Sequence, residues 1–172
     1  MSFAPLHSEF LPRLRIIDNF SDCIAFNVHD KGKDNKHHTQ QLDDLTLELS
    51  LSPSTAIIAS DTSIKNNIAM SISHIHIFNN PIIKTNHHAV HVISTEAELF
   101  AIRYGINQAS KFDNMSKVIV ITDSIQTAKK IFKLTVYPYQ VQSVVILSNL
   151  CKFFMHYKNN SIKFWECSSH LK

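Results

Sequence analysis

Glycine is almost absent from this chain: only 2 of its 172 residues. A glycine-built phosphate loop is therefore excluded, and neither a GxGxxG nor a GxxxxGK run occurs. With 5 prolines, collagen-like and glycine-rich linker chains are excluded too. The 3 cysteines, Cys23, Cys151 and Cys167, are far apart and form no CxxC pair. That spacing suggests neither a disulfide framework nor a zinc knuckle, and it fits a reducing, intracellular setting. No apolar run is long enough to span a bilayer. Met1 to Pro12 lacks the basic segment and apolar stretch of a signal peptide. The expected location is the nucleus or cytoplasm, with no secretion and no membrane.

What is present is enough for a core: 44% hydrophobic and 18% charged residues. The net charge of +3 hides an asymmetry. Residues 1–53 carry five basic and eight acidic side chains, a net of −3, and the remainder carries +6. A positive second part suggests a polyanionic partner, with a solvated lysine-rich surface as the alternative.

The chain divides near Ser52-Pro53-Ser54. Residues 1–53 read as an N-terminal linker or extension, and 54–172 as the folded domain. Asp30 to Asp44 is polar and aperiodic, the pattern of a loop or disordered linker. Leu45 to Leu51 alternates and reads as a short strand or tether. Beyond residue 54 the pattern sharpens. Ala56–Ser60, Ile68–Phe78 and Ile82–Ile93 read as strands. Ser94–Ser110 changes to a helical stripe of Leu99, Ile102, Ile106 and Ala109. Val118–Thr122 reads as a buried strand, Ser124–Leu134 and Tyr139–Tyr157 as helices, and Ile162–Cys167 as a last strand. The order β-β-β-α-β-α-α-β defines an α/β fold with a mixed sheet.

Acids are sparse after Ser54, and three hold informative positions. Asp61 ends the first strand, Asp123 follows the VIVIT strand, and Glu98 opens the long helix. Such carboxylates can converge, and an oxygen-rich cluster suits Mg²⁺ or Mn²⁺. Taken singly, Asp61 and Asp123 are equally readable as caps or turn starters. Glu98 likewise completes a capping box with Thr95.

The ordered set Asp61-Thr62-Ser63, Ala97-Glu98-Leu99 and Thr122-Asp123-Ser124 resembles type 1 ribonuclease H. It is most similar to the domain that accompanies the reverse transcriptase of non-LTR retrotransposons. The likeness covers residues 54–172, and the WECSSH stretch ending at His170 adds to it. It implies a three-layer fold whose five-stranded sheet has the order 3-2-1-4-5. It also implies hydrolysis of the RNA strand of RNA–DNA hybrids by a two-metal mechanism. Asp61, Glu98 and Asp123 would then be the Mg²⁺ ligands (Mn²⁺ substituting), and His170 a catalytic group assisting product release. The implied partners are the hybrid and a reverse transcriptase domain in a longer parent protein, with the domain itself monomeric.

Two departures stand out. Thr62 replaces the family's usual glycine, and the chain ends at Lys172, before the final helix with its fourth carboxylate. Weakened activity is expected. Ser63, Asn66, Asn67, Thr95 and Ser124 flank the acids and are candidates for sensing 2′-hydroxyls, although each is also an ordinary turn or cap residue. Lys129, Lys130 and Lys133 are candidates for phosphate contact, or simply an exposed helix face. The histidine pairs read as surface or half-buried groups, and Cys151 and Cys167 as core. The alternative function is a catalytically inactive nucleic-acid-binding module of the same fold. An exonuclease of the wider superfamily is disfavoured, because Asp61-Thr62-Ser63 lacks a second acid.

Overall fold

The computed structural model describes residues 20–28, 35–132, 140–156 and 160–167. Its centre is a six-stranded sheet of β1 (Ile24–Asn27), β2 (Thr55–Lys65), β3 (Ile68–Ile77), β4 (Ile83–Val90), β5 (Lys117–Thr122) and β6 (Ser161–Glu166). The spatial order is β1-β6-β5-β2-β3-β4. Within it, β4-β3-β2-β5-β6 is the five-strand order expected from the resemblance. The strand β1 is an addition, paired parallel to β6 from Ile24 opposite Ile162 to Asn27 opposite Trp165.

The helices are α1 (Asn35–Ser50), α2 (Ser94–Ala109), α3 (Ile125–Lys130) and α4 (Gln140–His156). Side chains alternate between sheet faces, so Ile58, Val120 and Phe164 point one way and Ile119 and Trp165 the other. The first set joins Leu99, Ile102, Ile125, Ile146 and Leu150 in the main core under α2, α3 and α4. The second set packs with Leu42, Leu45 and Leu49 of α1. The result is three layers.

Residues 35–50 correct the sequence reading. They form one helix, where a loop to Asp44 followed by a strand or tether was expected. The reason is tertiary. Leu42, Leu45 and Leu49 are few, but their i, i+3, i+7 spacing puts them on one face. That face is stabilised by Ile119 and Trp165 rather than by helix propensity. The strand Ile24–Asn27 thus belongs to the same sheet as the segment after residue 53, and the helix Asn35–Ser50 packs on that sheet.

The β2–β3 hairpin turns at Asn66 and Asn67, with φ of 53° and 62°. A two-residue turn of this twist needs positive φ at both positions, which asparagine tolerates. The strand β4 runs unbroken through His87 and His88 and ends before His91, where φ is 59°.

Candidate functional site

Parallel pairing of β2 with β5 stops at Ala59 opposite Ile121, while the antiparallel ladder with β3 continues to Lys65. Asp61 therefore lies within β2, just past the parallel ladder, and not at a strand end as expected. Carried on by two residues, the register sets Asp61 beside Asp123, the residue after β5. Both stand at the carboxyl side of neighbouring parallel strands, where open α/β sheets form ligand sites. Glu166 ends β6 opposite Thr122 and brings a further carboxylate residue to this end of the sheet. Only its place at the close of the last apolar strand could have drawn attention to it in the sequence.

Glu98 reaches the same end from α2. Ser71 Oγ donates to Ala97 O at 2.6 Å, and Ser73 Oγ donates to Ala101 O. These bonds seat the helix on β3. The Thr95–Glu98 capping box does not form: the N-cap is Ile93, and it has no side-chain hydrogen bond. Instead Glu98 Oε2 accepts from Thr127 Oγ1 at 2.8 Å. Thr127 has one hydroxyl proton, so in its 2.7 Å contact with Ser124 Oγ the serine must donate. Ser124 N–H donates to Thr122 Oγ1 at 3.0 Å, and Cys167 N–H donates to Thr122 O at 2.8 Å.

From the other side, His38 Nε2 lies 2.6 Å from Glu166 O. A carbonyl oxygen only accepts, so this ring nitrogen carries the proton. A hydrogen-bonded path therefore runs from α1 across the ends of β6 and β5 to Glu98. Asp61 Oδ1 accepts the Thr62 N–H at 2.7 Å.

Oxygen donors of this kind match the chemistry of Mg²⁺ and Mn²⁺. Their spacing is not that of a coordination shell: among the described residues, no three His, Cys, Asp or Glu side chains stand where one metal ion could be held.

The remaining candidates are spread out. Ser63 is exposed on β2, and Asn66 and Asn67 form the hairpin turn. Thr95 is half-buried in α2. Ser124 directs its hydroxyl inward to Thr127. Lys129 is half-buried and Lys130 exposed in the last turn of α3. Lys133 and His170 lie outside the described residues.

A cluster absent from the sequence reading joins β4 to α2. The His87 ring lies 4.4 Å from Phe100 and 5.1 Å from Tyr104, with the Arg103 guanidinium 5.4 Å from the Tyr104 ring. Burial lowers the His87 pKa, and the charges of Arg103 and His88 push it further the same way. The i, i+3, i+4 run of Phe100, Arg103 and Tyr104 was the available signal.

No family profile and no curated protein matches the sequence. Solved structures do match its shape. The N-terminal ribonuclease H domain of a Mycobacterium tuberculosis protein superimposes with a TM-score of 0.53 at 14% identity, over 67% of this chain and 88% of that one. A ribonuclease H from the halophilic archaeon Halobacterium salinarum gives 0.52 at 14% identity, over 67% and 87%. A ribonuclease H isolated from compost by a metagenomic approach gives 0.50 at 15% identity, over 68% and 86%. At such identities the likeness is one of architecture. The chain has the ribonuclease H-like fold, a mixed α/β sheet with flanking helices.

Proposed function

We propose that this chain is a ribonuclease H-type domain that binds RNA–DNA hybrids and hydrolyses their RNA strand. The observation that carries the reading is the placement of Asp61, Asp123 and Glu98 toward one end of the sheet, on β2, after β5 and on α2. In this reading the three carboxylates are the ligands for Mg²⁺, with Mn²⁺ as substitute. Divalent ions held there would supply an activated water and stabilise the leaving oxygen. Thr127 orients Glu98, and the lysines of α3 contact phosphate. The tripeptides around the three acids extend the proposal to a reverse transcriptase-associated, retrotransposon-derived parent.

The spacing of the acids favours a second reading, a nucleic-acid-binding module of the same fold without catalysis. One assay separates the two. A labelled RNA–DNA hybrid is incubated with the chain in Mg²⁺, in Mn²⁺ and in chelator, beside Asp61→Asn. Slow cleavage in Mg²⁺ that increases in Mn²⁺ and disappears in Asp61→Asn supports the hydrolase. Binding without cleavage under all conditions supports the module. Cleavage by Asp61→Asn at the wild-type rate would overturn the carboxylate assignment.

A further inference from the structure

The helix α1 covers only part of its side of the sheet. Its Leu42, Leu45 and Leu49 meet β5 and β6, the helix also runs beside the first part of β2, and near its end His76 Nε2 lies 3.4 Å from Ser50 O. Beyond that, no element among the described residues covers the same face of β2, β3 and β4. The register sets out its rows. Ala59, His74 and Lys84 form one row, followed by Asp61, Ile72 and Asn86. Ser63, Met70 and His88 come next, then Lys65, Ile68 and Val90. Three strands and four rows make a platform of roughly 10 by 20 Å. His74, Lys84, Asn86, His88 and Lys65 are exposed, as are Ile68 at 47% and Val90 at 62%.

This composition is unusual for a solvent-facing sheet. Its lysines and histidines are accompanied by one acid, Asp61, and its apolar side chains remain partly in water. An open strand face with lysines at its borders, histidine rings and a carboxamide offers what a nucleic-acid strand needs: phosphate contact, stacking and base-edge hydrogen bonds. Asp61 sits in this face, so the platform continues directly from the carboxylate end of the sheet.

We propose that the open face of β2, β3 and β4 is a nucleic-acid-binding platform that carries the strand held at Asp61 away from the site. This rests on the reading that the carboxylate end meets nucleic acid. Lys65 and Lys84 contact phosphates, His74 and His88 stack on bases, and Ile72 and Met70 form the apolar floor between them.

The test measures fluorescence anisotropy of the full chain with a labelled RNA–DNA hybrid and with single-stranded RNA, in chelator so that only binding is read. Lys65→Gln/Lys84→Gln should weaken binding at least tenfold near physiological salt. It should also make the log-affinity against log-salt slope shallower by about 1.5 to 2, the loss expected for two phosphate contacts. His74→Ala/His88→Ala should weaken binding at least about fivefold with little change in slope, as lost stacking does. All four positions are exposed, so melting temperatures should stay at the wild-type value and serve as the folding control. Unchanged affinity in both double variants, with a loss in Lys129→Gln/Lys130→Gln, overturns the platform and leaves the nucleic-acid reading standing. Absence of wild-type binding at every salt concentration overturns both. Displacement of the RNA by polyglutamate at equal charge would assign the face to an acidic protein and overturn the platform too.

Discussion

Thr127 Oγ1 donates to Glu98 Oε2 at 2.8 Å, which joins the start of α3 to the start of α2 over the end of β5. The threonine is 4% exposed, so its hydroxyl is committed to this contact. Thr127→Val keeps the shape and removes the donor, and it also strips Ser124 Oγ of its acceptor. The expected loss is about 1–3 kcal/mol in chemical denaturation. Thr127→Ser should recover most of it. Glu98→Gln should cost less than Thr127→Val, because a carboxamide oxygen still accepts. Equal stability of Thr127→Val and wild type would show that the contact does not hold Glu98.

At Gly105 the backbone of α2 lies close against the sheet. A Cβ there would lie 2.5 Å from Ile58 Cγ2, a branched atom of a fully buried side chain with nowhere to retreat. Alanine would gain roughly 1 kcal/mol in helix propensity. Overpacking of about 1–3 kcal/mol should exceed that gain. Gly105→Ala is therefore expected to lower the melting temperature, despite being favourable in an isolated helix.

His87 makes stability depend on pH. Its pKa is lowered by burial and by neighbouring cations, so the unfolded chain binds its proton more readily than the folded one. Its effect is absent well above the ordinary value of 6.5. Stability then falls as pH drops through 6.5 toward the lowered folded value, below which the loss is constant. In thermal melts between pH 8 and pH 5, His87→Phe should show a smaller decline than wild type, since the other histidines are common to both.

The packing of α1 can be read spectroscopically, because Trp165 is the sole tryptophan and lies beneath it. Leu42 is 9% exposed and touches this cluster. Leu42→Ala should cost about 2–3 kcal/mol, at the low end for a core leucine because the cluster is small. It should also shift Trp165 emission to the red at denaturant concentrations where far-ultraviolet dichroism is still native. A tether of no structural consequence would leave both signals unchanged.

Periodicity disclosed most of the fold. The alternation through Ile68–Ile77 and the stripe of Leu99, Ile102 and Ile106 depend on local spacing alone, and both elements formed as expected. The helix α1 was hidden because its apolar face is only three leucines in a polar run, and its stability comes from Ile119 and Trp165, 70 residues or more away in the chain. The strand β1 was hidden for the same reason, since four residues gain strand character only by pairing with β6. At the site, the expected strand-end positions of Asp61 and Asp123 pointed to one end of the sheet, although Asp61 lies inside β2, which runs on to Lys65. The partner of Glu98 did not follow from spacing: T-x-x-E suggests a local capping box, whereas the observed bond crosses 29 positions to Thr127.

The pairing of β1 with β6 has a consequence for how the protein is made. Ile24 meets Ile162, and His38 meets Glu166 across 128 positions. On the ribosome the first strand and the first helix emerge long before the strand that receives them. Until Ile162 to Glu166 have emerged, the pairing groups of β1 have no native partner, and the leucines of α1 have Ile119 without Trp165. Contacts this far apart slow folding and prolong the exposure of apolar surface. The strand β1 and the helix α1 are therefore made early and completed late, as the last strand arrives.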